Sequence, residues 1–379
     1  MVNLLVTGDI VNYKNNDGKI CSSEIEAIVK SSDYAICNFE APIMGSGQPQ
    51  LKSGPHHHQL KSTVKGLKDQ GFNHLLLANN HIMDFGEVGL NATINEIKKN
   101  NLDFCGAGCS IDDAYKPFVK EINGLSIGII NAGEAQFGVL DDFMVRNGSG
   151  YAWINHHLID QNIIKLKENC DFVLVFSHAG LENYSIPQKE WRNRYQHLCE
   201  LGADAVIGSH PHVPQGYERH NESFIFYSLG NFYFDGGRWE GKESSSFALK
   251  LKLEKGKTMD FEPVFHYTCN NKVELAPDSK KININELCML LNDEYQKKHE
   301  EMSLLAFKNI KRSLISSFFS FPLDSTLKGT IKEVAATLLG RRKRQIKHLT
   351  SLHLIRNEAY YYAMRHALEL EARKHNKNV

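Results

Sequence analysis

No stretch of this sequence approaches the ~20 consecutive apolar residues that a membrane-spanning helix needs. The N-terminal "MVNLLVTGDI" has no basic segment ahead of its short apolar run, so it reads as a first β-strand rather than a secretory leader. No CxxC occurs among the cysteines at 21, 37, 105, 109, 170, 199, 269 and 288. Scattered thiols in apolar surroundings such as "YAICNFE" and "LDFCGAG" argue against a disulfide framework or a thiolate metal site and for reduced core residues. These features together predict a cytoplasmic protein. There is no internal repeat and no low-complexity tract. Net charge is also missing, with 44 Lys and Arg against 44 Asp and Glu, but the balance is uneven. Residues 1–300 carry 29 basic and 38 acidic side chains, whereas 301–379 carry 15 and 6. An acidic body with a basic tail points to an anionic partner for the tail, or to a helix with solvated basic faces. The run "RRKRQIK" (341–347) has no interleaved aromatic residue of the kind single-strand nucleic-acid binders use, and no specific nucleic-acid partner is expected.

What is present is an ordinary globular composition, 42% apolar and 23% charged, over 379 residues. Short β-rich runs at 3–9, 34–40, 74–79, 125–131, 171–178, 203–210 and 223–235 alternate with helical patterns at 62–70, 86–100, 156–169 and 187–201. Strand–helix repetition predicts an α/β fold with a largely parallel sheet flanked by helices. Residues 245–268 read as a hairpin with "EKGK" at its tip. From about 283 the apolar spacing turns helical, in blocks 284–315 and 326–375 with a break near Pro322. The expected division is an α/β domain over 1–270 and a helical C-terminal region over 283–379, whose amphipathic helices offer a cap or a dimer surface.

The chemistry gathers at strand ends, where loops of open α/β sheets converge. The first run ends in Asp9, the second in Glu40, and the third in "ANNHIMD" with Asn79, Asn80, His81 and Asp84. Two later runs end in His178 and in His210, with His212 just beyond in "IGSHPHVPQG". Oxygen and imidazole donors in this mixture suit Mn, Fe, Zn or Co better than thiolate-loving ions. Asp84 either orients His81 or, with Glu87, forms a carboxylate capping box for the helix opening at 86. Glu182 reads as a group supporting a ligand histidine, as a replacement ligand, or as a surface carboxylate. Asn231 reads as a hydrogen-bond donor or part of a bulge. Glu134 follows a strand and is a weaker candidate for reaching the site. The three histidines of "SGPHHHQ" (53–59) read as a loop, with substrate contact as the alternative.

The segments "TGDI", "CNFEAPI", "LANNHIMDFGEVGL", "HAGLEN", "IGSHPHVPQ" and "YSLGNFYFD" fall in order over 4–235, and in them the chain resembles the CapA family of capsule and poly-γ-glutamate biosynthesis proteins, related to calcineurin-like metallophosphoesterases. The resemblance implies a layered metallophosphatase-like β-sandwich flanked by helices and a site for one or two divalent ions, with Mn, Fe or Zn expected and Mg next. It would make Asp9 and His212 ligands of one metal, Asn80, His178 and His210 ligands of another, and Glu40 the bridge. His81 would face the substrate. Val11 stands where a metallophosphatase commonly has a histidine, which leaves the first metal a ligand short. Ser209 and Asn183 also depart from the pattern. The implied function is metal-dependent hydrolysis of a phosphoester in capsule or poly-γ-glutamate-type polymer metabolism, on an anionic small molecule or acidic polymer. The alternatives are a hydrolase of γ-glutamyl amide bonds and a non-catalytic accessory that binds metal, polymer or a biosynthetic partner.

Overall fold

A computed structural model describes residues 1–141, 148–318, 326–339 and 347–376. Two compact units are present, one of residues 1–50 and 56–294 and the other of 51–55 and 295–379. In the first unit β1 (Val2–Val11), β2 (Tyr34–Phe39), β3 (His74–Leu76) and β4 (Asp103–Cys105) run parallel in one sheet. Strands Ser244–Leu253, Asp260–Cys269 and Lys272–Leu275 extend that sheet antiparallel from the other side of β1. A second sheet has the order Tyr217–His220, Ser223–Phe226, Ala205–Ser209, Phe172–His178, Leu125–Gly133 and Phe118–Ile122, its four central strands parallel.

Alternation along the strands explains why they divide into two packed sheets, the sandwich that the family resemblance implied. Val2, Leu4 and Val6 of β1 join Leu125, Ile127, Ile129, Leu174, Phe176 and Ile207 in one core between the sheets. The alternate residues, Leu5 of β1 with Ala35 and Cys37 of β2, face outward into a second core. That core is closed by α1 (Ser23–Lys30), α2 (Ser62–Asp69) and α3 (Gly86–Lys99) through Ile25, Val29, Val64, Leu67, Leu90 and Ile94. Helices His157–Asn169 and Lys189–Glu200 cover the other sheet. The result is a helix-flanked β-sandwich.

Two local readings are corrected. "SFIFYSLGNFYFD" is not one strand: Ser223–Phe226 belongs to the second sheet, and Asn231–Phe234 pairs with the end of β1 in the first. Gly230, at φ +76°, makes the turn between them in a backbone region that side-chain-bearing residues rarely adopt. Helix α1 lies where no helical pattern was read, and the Ser22 hydroxyl accepts the Ile25 N–H at its N-terminus. All eight cysteines are free thiols, with Cys21, Cys37, Cys105 and Cys199 buried.

In the second unit, helices Tyr295–Phe318, Lys347–Arg356 and Glu358–Asn376 pack together around Phe307, Met364 and Ala367. The pattern read as continuous over 284–315 is divided between Ile284–Met289 and Tyr295–Phe318. Pro322 and residues 341–346 of the basic run lie outside the described residues. Among the described residues no helix is long and apolar enough to cross a membrane.

Candidate metal centre

Parallel strands in both sheets deliver their carboxyl ends to the same place, and close backbone contact sets the geometry there. β1 is bulged beside Gly8, where a Cβ would stand 1.8 Å from the Gly230 carbonyl oxygen. Only glycine permits that approach, which aims the following Asp9 into the protein. Ala41, His210 and His212 have φ of 115°, 96° and 61°. Such backbone costs about 1–3 kcal/mol per residue and is kept where surrounding structure holds it.

Asp9, Glu40, Asn80, His178, His210 and His212 converge and are all buried. Asp9 Oδ1 accepts from Asn38 Nδ2 at 2.6 Å, and Oδ2 from the His210 backbone N–H at 3.2 Å. His212 Nδ1 is 3.6 Å from Asp9 Oδ2, and its Nε2 is 3.8 Å from Glu40 Oε1. On the other side His178 Nε2 is 3.9 Å from the same Glu40 oxygen, 3.1 Å from His210 Nδ1 and 3.2 Å from Asn80 Oδ1. Glu40 thus joins two groups, Asp9–Glu40–His212 and Glu40–His178–His210, in each of which one ligand atom per residue lies within 4.8 Å of the others. Its exposure is 0%, and neither carboxylate oxygen has a hydrogen-bond partner among the described residues.

Electrostatics point the same way. Burial pushes the Glu40 carboxyl well above the usual range, and Asp9 beside it adds to the rise. Burial raises Asp9 too, against the opposing pull of His212. Burial drives His178 well below the ordinary imidazole value, helped by the other imidazoles, and lowers His210 to about 4. Neutral imidazoles are the form that ligates metal, and two buried carboxylates require cationic compensation. The donor set and the unpartnered Glu40 oxygens fit a divalent cation.

The remaining expected residues also have definite places. His81 Nδ1 is 2.7 Å from Asp84 Oδ2, which also accepts the His57 backbone N–H at 2.7 Å. Asp84 therefore does not cap α3, whose N-terminal residue Phe85 makes no side-chain cap bond. Glu134 reaches the site: its Oε1 is 3.6 Å from His210 Nε2, and its Oε2 accepts the Gly180 N–H at 2.9 Å. Asn231 Oδ1 lies 2.9 Å from His212 Nδ1 and orients that ring. Glu182 is ion-paired with Arg238 at 2.7 Å and also stands within ligand range of His210 and His212. The histidine loop is anchored rather than loose, with the His57 ring 4.3 Å from that of His81.

Sequence reasoning missed Asn38 and Gln136, although each lies two residues from a residue it named. Asn38 lies in β2 two residues before Glu40 and binds both Asp9 and His178 Nδ1. Gln136 links Asn80, Glu134 and His210. Ser209, noted only as a departure, lies with its hydroxyl 3.1 Å from His178 Nδ1.

Fold and site together define a helix-flanked α/β sandwich protein with a strand-end cluster of carboxylate and imidazole groups suited to divalent metal. Comparison with known proteins makes the assignment narrower. The chain belongs to the bacterial capsule synthesis protein family PGA_cap, whose model matches residues 4–236. It is 35% identical over 240 residues to the PGA biosynthesis protein CapA of Bacillus subtilis, covering 63% of this chain and 62% of that protein. It is 30% identical over 263 residues to the capsule biosynthesis protein CapA of Bacillus anthracis, covering 68% and 63%. The match thus spans about three-fifths of the length of these relatives. Among solved structures, the calcineurin-like phosphoesterase YfkN of Bacillus subtilis aligns with TM-score 0.41 and 14% identity, covering 79% of this chain and 98% of that one. A likeness so distant carries no argument about chemistry.

Proposed function

We propose that the protein is a metal-dependent hydrolase of the phosphoester class, acting on an anionic substrate in capsule or poly-γ-glutamate-type polymer metabolism. The observation that carries this reading is Glu40, a fully buried carboxylate with two unpartnered oxygens between two carboxylate–imidazole groups. Asp9, Glu40 and His212 would hold one ion, and Glu40, His178, His210 and Asn80 another, with Mn, Fe or Zn suited to these donors. Bound there, divalent ions supply an activated water and neutralise phosphoryl charge.

The chain's own groups do the rest. With Nδ1–H donated to Asp84, a His81 ring protonated on both nitrogens would pass its Nε2 proton to the leaving oxygen and be left as the neutral Nδ1–H imidazole. Asn38, Ser209, Asn231, Glu134 and Gln136 lock the ligand imidazoles in place. Residues 1–270 would form the hydrolytic domain and 283–379 a helical region serving a partner or a second copy. The relatives' names direct the substrate search to capsule polymers and their precursors.

The test is hydrolysis of an aryl phosphodiester and monoester with added Mn²⁺. His81→Ala is expected to lower kcat by about 10²–10⁴ with metal binding kept. Turnover unchanged in that variant would refute the assignment of His81. Turnover of γ-glutamyl oligomers but of neither phosphoester would move the reaction to amide hydrolysis.

A further inference from the structure

The rim of the centre carries a cation and an indole that the hydrolytic scheme does not use. Arg238 and Trp239 sit on the single 3₁₀ turn Gly237–Trp239 that follows strand Asn231–Phe234. The Arg238 side chain is 45% exposed, its Nη2 is 2.7 Å from Glu182 Oε2, and its guanidinium lies 5.5 Å from the centre of the Trp239 ring. That ring is in turn 6.0 Å from the His212 imidazole. The indole Nε1–H is shielded from solvent and has no acceptor among the described residues. The turn is tied to the loop after β1, since the Tyr13 and Lys14 N–H groups bind the Asp235 carboxylate at 2.7 and 3.0 Å. Lys14 Nζ also pairs with Glu240 at 2.6 Å.

Both unused groups are donors, one of them charged, beside a site that cleaves a bond in an anionic molecule. We propose that Arg238 and Trp239 form an oxyanion subsite next to the metal centre, which takes a carboxylate or phosphate carried by the substrate beyond the reacting bond. This deepens the hydrolase reading and rests on it: the subsite selects substrates with repeated negative charge over isolated esters. Guanidinium suits both anions because its forked donors match their paired oxygens. Glu182 occupies the guanidinium until substrate arrives. A partly exposed ion pair holds its partners weakly, so exchange of one carboxylate for another oxyanion is easily made.

The test is calorimetric titration of the full-length protein with a short γ-linked glutamate oligomer and, separately, with inorganic tripolyphosphate, each in EDTA and again with Mn²⁺. Arg238→Gln is expected to weaken binding about tenfold or more under both conditions, the loss of one charge-assisted hydrogen-bond pair. Trp239→Phe keeps the ring and removes the N–H, and weakens binding about threefold. Glu182→Gln frees the guanidinium and tightens binding in EDTA, an opposite sign that general unfolding cannot produce. The probe whose affinity responds identifies the anion, carboxylate or phosphate. Failure of both probes to bind the parent protein would overturn the proposal. So would parent-like binding by Arg238→Gln, or an effect confined to Mn²⁺-loaded protein. Because the EDTA series needs no metal, its result is independent of whether the centre hydrolyses anything.

Discussion

Glu40→Gln should make the metal-free protein more stable while removing its response to metal. In the native chain Glu40 is fully buried, has no hydrogen-bond partner on either oxygen among the described residues, and lies beside a second buried carboxylate, Asp9. Keeping Glu40 ionised here, or protonating it against its ordinary range, costs free energy, and a neutral amide of the same shape recovers part of that. The gain expected in EDTA is about 1–3 kcal/mol. At about 2–4 °C per kcal/mol for a large domain, Tm rises by roughly 2–12 °C. Metal acts in the opposite direction. A ligand at a hundred times its Kd stabilises the parent by about 2.7 kcal/mol, and without its bridging carboxylate the variant forgoes that gain. Thermal melts of both proteins in EDTA and in excess Mn²⁺ should therefore exchange rank or converge as metal is added. A lower Tm for Glu40→Gln in EDTA, with a full metal-induced rise retained, would refute the reasoning, because Glu40 would then be making a protein contact and not awaiting a cation.

Two further outcomes follow from the backbone of β1 and from the core. Gly8→Ala places a methyl 1.8 Å from the Gly230 carbonyl oxygen, so strand β1 must move; a loss of at least about 1–3 kcal/mol in urea denaturation is expected, together with weakened Mn²⁺ binding. Unchanged metal affinity in a folded Gly8→Ala protein would contradict the role given to the bulge. His74 is buried against Phe118, with its ring nitrogens beside the Tyr34 hydroxyl and the Cys105 thiol, and burial lowers its pKa to about 3 despite Asp103 nearby. Between the ordinary imidazole value and that lowered one, the unfolded chain binds a proton that the folded chain refuses. The stability contributed is thus complete above the unfolded pKa and declines by about 1.4 kcal/mol per unit as pH falls toward the folded one. His74→Phe should flatten the slope of stability against pH by that amount across the acidic range, and an unchanged slope would refute it.

Much of the centre was legible because its residues end strands. β1, β2 and the strand Phe172–His178 stood out as short β-rich runs, and Asp9 near the end of β1, Glu40 just beyond β2 and His178 at its strand's end lie where parallel sheets put functional groups. The division into two sheets came from the family resemblance and not from the residue pattern, since strands buried on both faces carry no apolar–polar contrast to say which neighbour lies on which side. The supporting residues were hidden for a related reason. Asn38 and Gln136 are amides whose importance depends on what lies across the sandwich, which only the tertiary fold supplies. Asp84 had two physically sound local readings, a helix cap or an imidazole partner. Geometry decided between them, because its carboxylate is taken by His81 and His57.

The most direct test of the account is the metal content of untagged protein, measured by inductively coupled plasma mass spectrometry after dialysis against Mn²⁺ or Zn²⁺. At least one tightly held ion per chain is expected, lost in the His178→Ala and Asp9→Ala variants but kept in His81→Ala. Background metal in the parent, or the same content in the His178 and Asp9 variants as in the parent, would contradict the central claim that these strand ends form a metal centre.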